Sequence, residues 1–263
     1  LAEADVVELP LREEHEFRLR FEDIDGGAAR AAKMLILNYP NNPTGAICDL
    51  DHWREAVAFA RDHDILLVSD IAYSELSLVD HHKPCSVLEL PGARETSVEF
   101  QSLSKSHSMA GWRVGFACGN AEMIHALKRI KSYLDYGMPQ AIQIGAIAAL
   151  RGPQDCVEEN CAVYKERRDV LIEGLGAPGE GQWKIEKPLA TMFVWAPIPE
   201  PFAQLGSLEF SKRLLREAGV AVSPGVGFGE QGEGYVRFAL VENKHRIRQA
   251  VRGIRRFLRE AQI

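Results

Sequence analysis

The sequence predicts an α/β protein: a mostly parallel sheet in the first half, then a small C-terminal α+β domain. Three observations carry this. Short apolar strands alternate with helical stretches as far as Gly119. The strand "MLILN" runs into a dense turn signal and "ILLVSD" into a loop. From Met138 onward the pattern changes to long helix, and then to a closing mixture of strands and helices. Strand–helix–strand units of the first kind need crossovers that cover both faces of a parallel sheet.

Each element has its own warrant. "ADVVELPL" (4–11) reads as a strand, "GGAARAAK" as a short helix, and "MLILN" (34–38) as a strand of continuous apolar residues. "NYPNNPTG" (38–45) is a dense turn signal. "DLDHWREAVAFARDHD" (49–64) is an amphipathic helix with an Asp cap and a late basic turn. "ILLVSD" (65–70) is a buried strand, "TSVEFQSL" (96–103) an alternating one, and "WRVGFACG" (112–119) another. The long helical stretch reads as a spine between domains. After it come "KIEKPLATMFVWAPI" as strands, "SLEFSKRLLREAGVAVSPG" as helix then strand, "GYVRFALV" as a strand and "KHRIRQAVRGIRRFLREA" as a helix. The expected domains are a large one over 1–150, an interdomain helix over 151–175 and a small one over 176–263. Repeats and low-complexity stretches are absent from the sequence.

Length, charge and cysteine content narrow the function classes. At 263 residues the chain can hold one large domain or two modest ones with cores. A net charge of −6, with acids scattered rather than blocked, argues against nucleic acid and against an anionic membrane as partners. Apolar runs fall well short of the about 20 residues that a membrane span needs. The opening "LAEADVVELPLREEHEF" has neither a basic n-region nor an apolar h-region, so it does not read as a signal peptide. Cys48, Cys85, Cys118, Cys156 and Cys161 form no CxxC pair and read as buried thiols in a reducing cytoplasm. His81 and His82 lack a second ligand at metal spacing and read as solvated; no metal is expected.

Ligands of an open parallel α/β sheet bind beyond the carboxyl ends of its strands. There stand Asn41 and Asn42 after "MLILN", Asp70 and Tyr73 at the end of "ILLVSD", and Ser104 and Lys105 after "TSVEFQSL". Each has a bland alternative: Asn42 as a turn residue, Asp70 as a cap, Lys105 as a surface charge. Their common placement at strand tips favours a site. In "SLSKSHSMAGWRVG" (102–115) a lysine sits among serines, and Arg113 follows eight positions later. That set suits a ligand with both a phosphate and an aldehyde. A lysine forms a Schiff base with a carbonyl cofactor. Arg113 can fork onto phosphate oxygens, with serine hydroxyls as neutral donors. A carboxylate at Asp70 could keep a pyridine nitrogen protonated and make the ring an electron sink. Asn42 and Tyr73 could donate to a phenolate oxygen. "GVGFGEQGEG" (225–234) holds a G-x-G-x-G, but a strand follows it rather than a helix, so it does not read as a dinucleotide site.

"NYPNNPTG", "SDIAYSEL" and "SLSKSHSMAGWRVGF" resemble the signatures of class I/II aminotransferases of fold type I, which use pyridoxal 5'-phosphate. The likeness covers essentially the whole chain. "KRIKSYLDYG", "GSLEF", "VSPGVGFGEQG" and "YVRFALVENKHRIRQAVRGIRRF" are similar to bacterial glutamate–pyruvate (alanine) aminotransferases, neighbours of the LL-diaminopimelate aminotransferases. The resemblance implies that Lys105 carries the cofactor and shuttles the proton. It implies that Asp70 contacts the ring nitrogen, Tyr73 and Asn42 the phenolic oxygen, and Ser102, Ser104 and Arg113 the phosphate. It assigns the substrate to Asn42 and Arg237, with the α-carboxylate on Arg237; on its own, Arg237 is an arginine in a strand, more often a salt-bridge partner than a ligand. "PLATMFVW" departs from the pattern, with Ala190–Thr191 where many relatives carry paired glycines.

The implied function is transfer of an amino group between an L-amino acid and a 2-oxo acid, with alanine and glutamate as expected donors, in a cytoplasmic homodimer. A C–S lyase using the same cofactor shares every motif. The effector-binding half of an aminotransferase-like transcription regulator is a third reading, although neither a winged helix-turn-helix nor a basic face is seen. In the family, a glycine-rich phosphate loop, an aromatic stacked on the cofactor and an N-terminal arm precede these motifs. Nothing in 1–33 matches them, so the N-terminal third of such a protein is expected to be missing and these 263 residues alone to be an incompetent enzyme. Five strands of the large sheet are then expected, with a gap between 4–11 and 34–38.

Overall fold

The computed structural model describes residues 3–79, 84–179 and 181–260. The reading of His81 and His82 lies outside the described residues. The chain divides into two compact units, one of residues 1–41 and 46–161, the other of 42–45 and 162–263.

In the first unit a four-stranded sheet runs in the order β1 (Met34–Asn38), β2 (Leu66–Asp70), β3 (Ser97–Ser102), β4 (Gly115–Gly119). The first three strands are parallel and β4 is antiparallel to β3, so the sheet is of the predicted mostly parallel kind. Helix α1 (Gly26–Ala31) precedes β1, and α2 (Leu50–Asp62) links β1 to β2. The Asp49 carboxylate accepts from the His52 amide at 2.9 Å and so caps α2 as the sequence predicts. Trp53, Ala56, Val57 and Ala60 recur at helical spacing and are buried with Leu35, Leu37 and Leu67 of the sheet. Burying a side chain of the size of Leu67 or Val57 contributes about 1.5–3 kcal/mol.

The segment 4–11 is not a strand, which corrects the sequence reading and leaves four strands rather than five among the described residues. Val6 and Val7 are adjacent and both exposed, so no single face of this segment is buried. Leu9 and Leu11 instead pack as irregular chain against the core of α2 and the sheet, and Pro10 has no N–H to give a ladder. Helix α4 (Ala121–Leu134) follows β4, and the helical stretch expected from Met138 as one spine is two helices, α5 (Gln140–Arg151) and α6 (Asp155–Gly176). Gly152 adopts an extended backbone and Pro153 follows, which ends α5. Cys118 and Cys156 are exposed, contrary to the reading of all five thiols as buried.

The second unit holds a three-stranded antiparallel sheet in the order β5 (Phe193–Pro197), β7 (Tyr235–Ala239), β6 (Ser223–Pro224). Helix α7 (Gly206–Arg213) widens into a π-turn at Leu214–Ala218, and α8 (Lys244–Glu260) closes the described chain. Ile247, Val251, Ile254 and Leu258 form the buried stripe of α8 and pack with Trp183, Phe202, Phe210 and Phe238. The run expected as strands before β5 is irregular from 184 to 189. Pro188 lacks an amide donor there, and Thr191 turns the chain with φ 72.

Candidate active site

In the first unit the site residues stand at the carboxyl ends of β2 and β3. Asp70 is the last residue of β2, and its Oδ1 accepts from the Ala72 amide at 3.0 Å. Its main-chain carbonyl accepts from Asn38 Nδ2 at 2.9 Å, which ties the ends of β1 and β2 together. Lys105 lies in the single turn α3 (Leu103–Ser106). Ser102 caps that turn, its Oγ accepting from the Ser104 amide at 3.2 Å. Leu103 and Ser106 are buried and anchor the turn, while Lys105 is half-buried. Its Nζ stands 5.7 Å from the centroid of the buried Tyr73 ring.

Arg113 reaches the same turn through the sheet. Ser102 pairs with Gly115, and the Leu103 amide donates to the Val114 carbonyl at 3.3 Å. Arg113 is held at φ 54, a left-handed backbone that costs a non-glycine residue about 1–3 kcal/mol and marks a local constraint. Its Nη1 donates to the Ala110 carbonyl at 2.9 Å.

In the second unit Asn42 and Arg237 meet directly, Nη1 donating to Asn42 Oδ1 at 2.8 Å. Nη2 donates to Ser223 Oγ at 3.3 Å from the neighbouring strand β6. The guanidinium carbon lies 4.1 Å from the Phe193 ring centroid and 4.6 Å from that of Phe228. The turn carrying Asn42 needs its glycine: Gly45 has φ 76, and a Cβ there would stand 2.7 Å from Pro188 Cβ. Thus Tyr73, Ser102, Ser104, Lys105 and Arg113 gather at one strand end with Asp70, and Asn42 gathers with Arg237.

Sequence reasoning missed Gln101 and the two phenylalanines. Gln101 Nε2 donates to Ser74 Oγ at 2.5 Å, and its Oε1 accepts from the Ser102 amide at 2.9 Å, so this amide joins the Tyr73 loop to the Lys105 turn. Its signal was an amide at the penultimate position of a strand that leads into the lysine turn.

The donor set suits a phosphate-bearing aldehyde such as pyridoxal phosphate. It offers a half-buried amine, a carboxylate that retains acceptor capacity beyond its one amide bond, two hydroxyls and a guanidinium.

The chain matches the family described as Aminotransferase class I and II over residues 1–254. It is 56% identical to the AatC protein of Rhizobium meliloti (strain 1021) over 86% of this chain and 55% of that one. It is 49% identical to the glutamate-pyruvate aminotransferase AlaC of Escherichia coli (strain K12), over 98% of this chain and 62% of the relative. It is 46% identical to the LL-diaminopimelate aminotransferase of Moorella thermoacetica, over 95% and 62%. Among solved structures, BacF of Bacillus subtilis superposes with a TM-score of 0.90 at 39% identity, over 98% of this chain and 64% of that one. The chain therefore spans less than two thirds of the length of these relatives. The helices and mostly parallel sheet, together with the match over residues 1–254, make this chain a member of the class I and II aminotransferase family.

Proposed function

We propose that the protein of which these residues are part transfers amino groups between an L-amino acid and a 2-oxo acid with bound pyridoxal 5'-phosphate. The observation that carries this reading is the half-buried Lys105 amine above the Tyr73 ring, at strand ends that also bear Asp70 and, across the β3–β4 pairing, Arg113. Lys105 would hold the cofactor aldehyde and Asp70 its ring nitrogen. Tyr73 and Asn42 would bind its phenolic oxygen, and Ser102, Ser104 and Arg113 its phosphate. The bound cofactor supplies an electron sink for the pair of electrons left when the substrate Cα loses its proton. Lys105 Nζ would take the proton from the substrate Cα and later give it back, one group acting as base and then as acid. Arg237 binds the substrate α-carboxylate by a two-pronged contact.

Alanine and glutamate are the proposed donors, with pyruvate and 2-oxoglutarate as acceptors, in line with the name of the Escherichia coli relative. A second reading, LL-diaminopimelate as donor, is favoured by the relatives that bear that name at 45–46% identity. The protein is proposed to act as a cytoplasmic homodimer. No helix among the described residues is long and apolar enough to cross a membrane.

The test is cofactor trapping on the whole protein, followed by a donor screen. Borohydride should fix labelled cofactor to Lys105, and Lys105→Ala should lose the visible absorption band. Asp70→Asn should keep the cofactor and lose most of its activity. Label on Lys128 or another lysine overturns the site. Strong turnover of LL-diaminopimelate with negligible alanine activity selects the second reading.

A further inference from the structure

The glycine-rich stretch Gly225–Gly229 has no part in the reading above, yet it is built with care. The Gly225 amide donates to the Tyr235 carbonyl at 2.9 Å, and the Phe228 amide donates back to the Gly225 carbonyl at 2.8 Å. A Cβ on Gly225 would stand 1.8 Å from the Gly232 carbonyl oxygen, so only glycine allows this approach. Ser207 Oγ accepts from the Val226 amide at 3.1 Å and donates to Glu233 at 2.9 Å, pinning the loop from its other side. The loop thus spends its amides on its own chain, and its product is the placement of one ring. Phe228 stands edge-on to Trp195 at 5.7 Å and 88°, and Trp195 is stacked on Tyr235 at 5.1 Å and 7°. Phe228 is 37% exposed and lies 4.6 Å from the guanidinium carbon of Arg237, which Phe193 flanks at 4.1 Å.

We infer that Phe228 is a positioning residue for the substrate carboxylate: with Phe193 it fixes the plane of the Arg237 guanidinium. A two-pronged bond to a carboxylate needs the fork and the carboxylate in one plane. Hydrogen bonds to Asn42 and Ser223 fix two of the five guanidinium N–H groups, and the rings restrict rotation about the side-chain bonds. Aromatic faces attract a guanidinium without taking up its N–H groups, so the rings orient the fork at no cost in donors. The G-x-G-x-G pattern is explained as the tight turn that delivers this ring rather than as a phosphate cradle.

The inference rests on the proposed role of Arg237, and its test separates the two. Whole protein with bound cofactor is compared with Phe228→Leu, Phe228→Tyr and Arg237→Lys. The 15N-arginine spectrum should show the Arg237 Nε–H proton displaced by ring currents in the parent and in Phe228→Tyr, and shifted back in Phe228→Leu. Propionate, a carboxylate without an amino group, should bind about three- to ten-fold more weakly to Phe228→Leu. Propionamide should bind both alike, and the KM for alanine should rise while kcat holds. Phe228→Tyr should restore all of these. An unmoved Arg237 resonance, unchanged propionate affinity, or equal losses for propionate and propionamide would overturn the positioning role. Undiminished propionate binding by Arg237→Lys would instead overturn the carboxylate role of Arg237, whatever the spectrum shows.

Discussion

Ser86 Oγ donates to the buried carboxylate of Glu99 at 2.6 Å, across thirteen residues of chain. The same carboxylate accepts from the Val87 amide at 3.1 Å and from Ser69 Oγ at 3.2 Å, so one side chain of β3 fastens the 86–87 segment to the sheet. Burial pushes the Glu99 carboxyl above its ordinary range, and the three donors recover only part of the cost. A raised carboxyl binds its proton more tightly folded than unfolded. Its contribution to stability is full below about pH 4.3, the ordinary value, and is lost as pH rises through the folded value. Glu99→Gln keeps an acceptor and cannot ionise. Its urea-unfolding stability relative to the parent should therefore rise from pH 4 to pH 7, and a flat difference would refute the assignment. Glu99→Ala should cost about 2–4 kcal/mol, because it strands the Val87 amide and the Ser69 hydroxyl.

His52 has the opposite sign. Its ring is buried against Phe21 at 5.3 Å and edge-on to Tyr39 at 5.4 Å. Burial first, and then the charge of Arg18, lower its pKa below the ordinary imidazole value. Folding thus favours the neutral ring: the contribution is full above about pH 6.5 and is lost as pH falls through the folded value. Thermal unfolding of the parent should lose stability between pH 7 and 5 faster than that of His52→Phe. Parallel curves for the two proteins would show that His52 binds its proton equally well folded and unfolded.

The sequence made α2 and the strand tips legible because their signals are local. Asp49 is followed by an apolar face at helical spacing, and Asn42, Asp70 and Lys105 each stand at or just past a strand end. The segment 4–11 misled because Val6 and Val7 look like a strand wherever they stand, whereas strand formation depends on a neighbour that only tertiary structure supplies. The contact between Phe228 and Arg237 was hidden for a related reason. It depends on β7 pairing with both β5 and β6, and a glycine loop read by its spacing gives no hint of which ring it carries.

Thr191 is a fully buried β-branched residue at φ 72, in a backbone region that glycine enters without penalty. Its Oγ1 accepts from the Phe193 amide at 3.2 Å, which offsets part of the strain next to the ring that flanks Arg237. Thr191→Ala removes the acceptor and keeps a Cβ, while Thr191→Gly removes both. The glycine variant should be more stable than the alanine variant by about 1–2 kcal/mol, the cost of a Cβ in the left-handed region. Equal stabilities by denaturant unfolding would mean that the backbone relaxes out of that region in the variants.

On β1, Leu35 and Leu37 are buried while Met34 and Ile36 are 50% and 63% exposed, so the continuous apolar strand is covered on one face only. Phe116 of β4 is also exposed, and Ile130, Tyr133 and Leu134 of α4 add to the apolar surface of this unit. Parallel strands are ordinarily covered on both faces, and apolar patches of this kind drive association. Both β1 and β4 are outer strands among the described residues, each with an edge open to further pairing. These 263 residues, expressed alone, should bind a hydrophobic dye and self-associate as concentration rises. The double variant Met34→Lys, Ile36→Lys should reduce both effects. It should change unfolding free energy by no more than about 0.5 kcal/mol, the usual limit for surface substitutions. Light scattering and dye fluorescence on the two proteins provide the check. A parent chain that stays monomeric and dye-free at high concentration would show that this face is covered in solution, and so would a double variant that fails to fold.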